Sequence, residues 1–171
     1  MLIAAVIATG QGHLDAVLTD VAAGLMAEGM HLAGVVQTNC TRPDRRNCDM
    51  DVRVLPDGPV IRISQDLGAQ ARGCRLDPAA LEQAVAIVGA RLDAGADLLI
   101  LNKFGKHEAD GRGFRDLIGE ALARGIPVLT GVNALNRAAF EAFAEGAAEV
   151  LPADPDAIRA WVQRARIAVA A

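Results

Sequence analysis

The stretch Asp97-Leu98-Leu99-Ile100-Leu101-Asn102-Lys103-Phe104-Gly105-Lys106-His107-Glu108-Ala109-Asp110-Gly111-Arg112-Gly113-Phe114-Arg115 decides the fold. It opens with a continuous apolar run of strand length, the pattern of a strand buried on both faces. Where that run leaves the sheet, the composition changes to Asn, Lys, Glu, Arg and glycine. Open parallel sheets bind ligands outside the carboxyl ends of their strands, so this edge is the first place to look for chemistry.

Working outward, Leu2 to Ala8 forms another short apolar run and reads as the first strand. Leu14, Val17, Leu18, Val21 and Leu25 recur at helical spacing, predicting a helix from about Leu14 to Glu28. A second strand is expected over His31 to Gln37, followed by a polar, basic loop from Thr38 to Asp49. The alternating runs 50–55 and 60–64 flank the turn sequence Pro56-Asp57-Gly58-Pro59 and predict a solvent-facing β-hairpin. Asp77-Pro78 and Asp154-Pro155 both have the form of a helix N-cap followed by proline. Between those starts, strands are expected at 97–102, 126–132 and 148–151, and helices at about 113–124 and 137–145. This alternation predicts an α/β fold, three-layer and doubly wound around a mostly parallel sheet, with the hairpin inserted after the second strand.

Composition sets the outer limits. At 171 residues the chain suits one domain spanning residues 1–171. The apolar content comes with four Phe, one Trp and no Tyr, which disfavours stacking-based binding of single-stranded nucleic acid. A net charge of −4 gives no electrostatic reason to expect nucleic acid or an anionic membrane as partner. No apolar run is long enough to insert in a membrane. Three cysteines do not make a disulfide framework, and a cytoplasmic setting is the expectation.

The turn Thr9-Gly10-Gln11-Gly12-His13 lies between the first strand and first helix, where doubly wound folds hold phosphate on backbone N–H groups. It is too short for a Walker loop and lacks that motif's Lys and Ser/Thr. Asp15, in the first helical turn, would repel a phosphate.

Asn102-Lys103-Phe104-Gly105-Lys106-x-Glu108-x-x-Gly111-x-Gly113-Phe114-Arg115 closely resembles the signature of a bacterial domain-of-unknown-function family. Gly34 to Gln37, Cys48 to Met50, Gly73 to Asp77 and Asn133 to Asn136 resemble it too, so the likeness covers nearly the whole chain. The family is similar to P-loop NTPases, in particular the nucleoside-triphosphatases first described in thermophiles, and it implies a P-loop NTPase-like fold. Those enzymes end the Walker B strand in Asp-Glu, where this chain has Asn102-Lys103; their later Glu corresponds to Glu108. Asn supplies no negative charge for Mg²⁺, which argues against ordinary Mg²⁺-dependent hydrolysis. If Mg²⁺ takes part, it does so with a bound nucleotide. The family also resembles accessory proteins of molybdenum metabolism, making molybdate a candidate oxyanion.

On these residues the leading expectation is a site for a nucleotide or other small-molecule anion. Gly10, Gln11, Gly12 and His13 form one wall, and Lys103, Lys106, Arg112 and Arg115, all within 13 positions, supply positive charge. Asn102 and Glu108 are the candidates for orienting ligand or water. Two alternatives come from other classes. Cys40, Cys48 and Cys74, separated by seven and twenty-five intervening residues, would serve a metal- or oxyanion-handling accessory protein, although no closely spaced cysteine pair supports zinc. A relic site on a module that binds a protein partner is the other.

Overall fold

The computed structural model describes residues 2–7, 12–40, 49–65 and 76–170. Among them the chain runs β1 (Ile3–Ile7), α1 (His13–Ala27), β2 (Leu32–Cys40), β3 (Asp49–Val54), β4 (Val60–Arg62), α2 (Pro78–Asp93), β5 (Leu98–Phe104), α3 (Lys106–Ala109), α4 (Arg115–Ala123), β6 (Val128–Val132), α5 (Arg137–Ala144), β7 (Ala148–Pro152) and α6 (Pro155–Ala170). The strands form one sheet in the order β4-β3-β2-β5-β6-β1-β7. β2, β5, β6, β1 and β7 are parallel to their neighbours in that order, whereas β3 and β4 are antiparallel additions at one edge. This is the expected three-layer, doubly wound α/β fold.

Helices cover both faces because the parallel strands are apolar on both. Ala4, Val6, Leu32, Leu98, Ile100 and Leu129 pack with α1 and α6, where Trp161 is fully buried. Ile3, Ala5, Val35, Leu99, Leu101 and Val128 pack on the other face with α2, α4 and α5. Both capped helix starts form as their sequences predict. The Asp77 carboxylate accepts from the N–H groups of Ala79 and Ala80 at 3.0 and 3.1 Å, and that of Asp154 from Ala157 at 3.0 Å. At the far end of α4 the exposed Arg124 guanidinium is held charged, its pKa raised first by a hydrogen bond to Asp93. No helix among the described residues is long and apolar enough to cross a membrane.

Three expectations are corrected. The hairpin is not a solvent-facing decoration: β3 joins β2, and Val52, Val54, Leu55, Ile61 and Ile63 are buried against α2 or α1's side of the sheet. β2 is longer than predicted, because Thr38 and Asn39, polar as they are, pair with Asp51 and Met50 of β3. β5 continues through Asn102 and Lys103 to Phe104, and a short helix, α3, precedes α4. Pairing with β3 thus overrode composition at the end of β2, and β5 runs on because Phe104 pairs again with Val132 of β6.

Candidate functional site at the carboxyl edge

The site is built by an irregularity at the end of β5. Leu101 pairs with Thr130 of β6, but the next pair is Phe104 with Val132, so β5 carries one extra residue there. Such a bulge interrupts the alternation of side chains between faces. Leu101 and Phe104 both pack on the α2, α4 and α5 side, while Asn102 and Lys103 both turn toward α1. The Asn102–Lys103 peptide is cis. The Thr130 hydroxyl donates to the Leu101 carbonyl at 3.1 Å, occupying an acceptor at the point where the ladder breaks.

What Asn102 and Lys103 meet is Asp15, in the first turn of α1 and only 6% exposed. Asn102 Nδ2 donates to Asp15 Oδ1 at 3.0 Å, and Lys103 Nζ lies 3.8 Å from the same oxygen. Asn39 Nδ2, from the end of β2, donates to Asp15 Oδ2. Gln37 Nε2 in turn donates to Asn39 Oδ1 at 2.9 Å. A buried carboxylate survives only when paired and hydrogen-bonded, and here two strands, β5 and β2, supply the partners. The helix N-terminus adds its own favourable field. Asn102 is 3% exposed, and its Oδ1 has no hydrogen-bond partner among the described residues. Beside this cluster a cleft of about 290 Å³ opens between α1 and the end of β2, walled by Gly12, Asp15, Thr19, Asp20, Gln37 and Asn39.

The loop after β5 is arranged around Glu108, which is 3% exposed. Its carboxylate accepts from the N–H of Gly105 at 2.9 Å and from that of Phe114 at 3.2 Å, closing the loop on itself. Gly113 must be glycine: its φ is +60°, and a Cβ would stand 2.4 Å from Glu108 Oε1. Arg115 donates to the Glu108 carbonyl at 3.2 Å and covers the Phe143 ring at 4.6 Å. Phe104 stacks edge-on against Phe140, with ring centroids 5.3 Å apart.

With this geometry in view, comparison with known proteins is decisive for the family. A model described as "Protein of unknown function (DUF2478)" matches residues 3–161. The chain belongs to the DUF2478 family. It is also 37% identical over 161 residues to the "Molybdenum import ATP-binding protein ModC 2" of Bradyrhizobium diazoefficiens, a match covering 93% of this chain and 18% of that protein. The chain therefore spans less than a fifth of the length of that relative. Among solved structures, the "Solution Structure of a Human Cancer-Related Nucleoside Triphosphatase" aligns with a TM-score of 0.63 at 16% identity, covering 89% of this chain and 88% of that one. That likeness establishes a P-loop NTPase-like architecture.

The DUF2478 signature thus divides into two parts. Asn102 and Lys103 face Asp15, as described. Glu108, a candidate for orienting water, instead has both carboxylate oxygens engaged by backbone N–H groups of its own loop. Arg115, expected to bind anion, is committed to that loop and to Phe143. Lys106 and Arg112 are exposed, with Arg112 3.7 Å from Asp110. Of the four expected cations, Lys103 is the one that reaches Asp15, so the cluster seen in sequence does not converge on a point. Gly12 caps α1 with φ +78°, and His13, the first helical residue, is exposed. Gly10 and Gln11 lie outside the described residues, as do Cys48 and Cys74. Cys40 ends β2 opposite Asp49.

Sequence reasoning read Asp15 only as a charge that would repel phosphate, and it missed the partners of that carboxylate, with Asn39 and Gln37 among the groups around it. The signal for Asp15 was present, a carboxylate on the edge of the apolar α1 stripe, but its neutralising partners are 24 and 87 positions away. Mg²⁺ fits this donor set poorly. Among the described residues no group of three or more His, Cys, Asp or Glu side chains is placed to hold a metal, and the Lys103 ammonium already stands by Asp15. No step is derived through Mg²⁺.

Proposed function

We propose that this protein binds a nucleotide or another phosphate-like oxyanion at the carboxyl edge of its sheet, in the cytoplasm, without hydrolysing it by the ordinary Mg²⁺-dependent route. The observation that carries this reading is the bulge that turns Asn102 and Lys103 together onto Asp15 at the N-terminus of α1. Lys103 offers the charge-compensating ammonium, and Gly12 opens the helix end, where anions are favoured. The P-loop NTPase-like fold supports a ligand at this edge. Against turnover stand an amide at the strand end, where an acidic group would hold Mg²⁺, and the engagement of Glu108 by its own loop.

Titration calorimetry with nucleoside mono-, di- and triphosphates, inorganic phosphate and molybdate tests this reading. Saturable binding that weakens in Lys103→Ala is the expected result, and no heat with any of them sinks the proposal. Molybdate belongs in the series because the relative from Bradyrhizobium diazoefficiens is named as a molybdenum import ATP-binding protein. Binding of molybdate alone would favour an oxyanion-handling accessory role.

A further inference from the structure

The cleft of about 290 Å³ between α1 and the end of β2 is lined by neither Asn102 nor Lys103, and the hydrogen-bonding capacity left free in its wall is of one kind. Asp15 sets the polarity. A carboxylate only accepts, so Asn39 turns Nδ2 to Asp15 Oδ2 and its own Oδ1 away. That oxygen takes the Nε2 donor of Gln37 at 2.9 Å, which leaves Gln37 Oε1 as the free end of the relay. Gln37 is 5% exposed and lines the cleft, and its Oε1 has no hydrogen-bond partner among the described residues. It is not sealed off, because Asn102 Oδ1 is the one side-chain atom among the described residues that lacks both a partner and contact with solvent. On α1, the Thr19 hydroxyl donates to the Asp15 carbonyl at 2.8 Å, so lone pairs are what it still offers the cleft. Asp20, one residue on, is exposed and makes no ion pair among the described residues.

We propose that this cleft binds a small organic amine through its ammonium group. The ammonium donates N–H to Gln37 Oε1 and Thr19 Oγ1, and its charge is met by the Asp20 carboxylate. Of the two carboxylates in the wall, Asp15 already has the Lys103 ammonium at 3.8 Å, so the charge of Asp20 is the one left uncompensated. An anion would set its lone pairs against those of the wall and meet two carboxylates of like charge. A metal ion lacks its cage, since no group of three or more His, Cys, Asp or Glu among the described residues is placed to hold one. The volume lies at the lower end of small-molecule sites, roughly 300–1,000 Å³, which suits a short ligand. This cationic subsite stands apart from the oxyanion reading, because it uses neither Lys103 nor the free end of α1.

The experiment is a chemical-shift titration of the isotope-labelled intact chain at pH 7 with putrescine and agmatine. Their neutral analogue 1,4-butanediol and Mg²⁺ serve as the comparison probes. Saturable shifts confined to Thr19, Asp20, Gln37 and Asn39 are expected with both amines, and at least tenfold weaker binding with the diol. Asp20→Asn, at an exposed position, should fold normally and weaken amine binding by roughly tenfold, as loss of a charge-assisted contact does. Gln37→Leu should weaken it by a similar factor, and if that variant does not fold, Asp20→Asn decides. Absence of amine binding, or an affinity unchanged in Asp20→Asn, overturns the proposal. Equal binding of butanediol overturns it in favour of a neutral hydroxyl ligand, and displacement of the amines by equimolar Mg²⁺ overturns it in favour of a metal. None of these outcomes bears on the oxyanion reading, which the phosphate and nucleotide titrations test separately.

Discussion

The side-chain amide of Asn102 donates to the buried carboxylate of Asp15 at 3.0 Å, joining the end of β5 to the first turn of α1 across 87 positions of sequence. Truncating Asp15 to alanine strips the acceptor from two amide donors, one on β5 and one on β2. The Asn102 donor is buried and costs about 1–3 kcal/mol when stranded, whereas the exposed Asn39 amide can turn to water. Asp15→Ala is therefore expected to lower the urea midpoint substantially at unchanged m-value. A midpoint equal to wild type would mean that the cluster contributes nothing to stability.

Lys103 and Lys106 look equivalent in the chain but differ in place. Lys103 stands 3.8 Å from Asp15, whereas Lys106 is exposed at the start of α3. Loss of a charge-assisted contact costs about 1.5–3 kcal/mol, so Lys103→Ala should weaken anion binding by roughly 10- to 100-fold. Lys106→Ala should stay within about twofold, as a screened surface charge does. Equal losses in the two variants would show that the ligand lies over the loop instead.

Glu108 closes its loop, with one backbone N–H on each carboxylate oxygen. Glu108→Ala leaves the N–H groups of Gly105 and Phe114 without their acceptor, at a cost of about 1–3 kcal/mol for each one that stays buried. Amide hydrogen exchange at Phe114 should accelerate accordingly. Glu108→Gln retains an acceptor and should recover most of the protection. If instead ligand affinity collapses while exchange is unchanged, Glu108 acts on the ligand and the loop-closing role is wrong.

Two glycines of the same loop separate backbone strain from steric contact. Gly111 and Gly113 both have positive φ, at +82° and +60°. A Cβ at Gly111 meets nothing within 4 Å, whereas at Gly113 it meets Glu108 Oε1 at 2.4 Å. Gly111→Ala should cost about 1–2 kcal/mol for the left-handed conformation alone. Gly113→Ala should lower the melting temperature further, since it also displaces the Glu108 carboxylate. Equal shifts would mean that the carboxylate moves aside freely.

The order of elements was legible in the sequence because its signals are local. Apolar runs of strand length mark β1, β5 and β6, a helical stripe marks α1, and an aspartate before a proline marks α2 and α6. The DUF2478 signature was legible as well, yet its residues do different jobs. Glu108, Gly113 and Arg115 shape the loop, while Asn102 and Lys103 reach the α1 side. Spacing along a chain does not say which oxygen a side chain will find.

By itself, then, the sequence determined the α/β class, the alternation that yields a parallel sheet, and the polar edge after β5, because periodicity and capping act within a few residues. Tertiary structure decided the rest. It placed the hairpin in the main sheet, lengthened β2 by pairing it with β3, and buried Asp15 among amides and an ammonium. It also set the single extra residue in β5 that turns Asn102 and Lys103 to one side. The reason is physical: a bulge is a mismatch of register between two strands, and a buried carboxylate is tolerable only through partners that come from elsewhere in the chain.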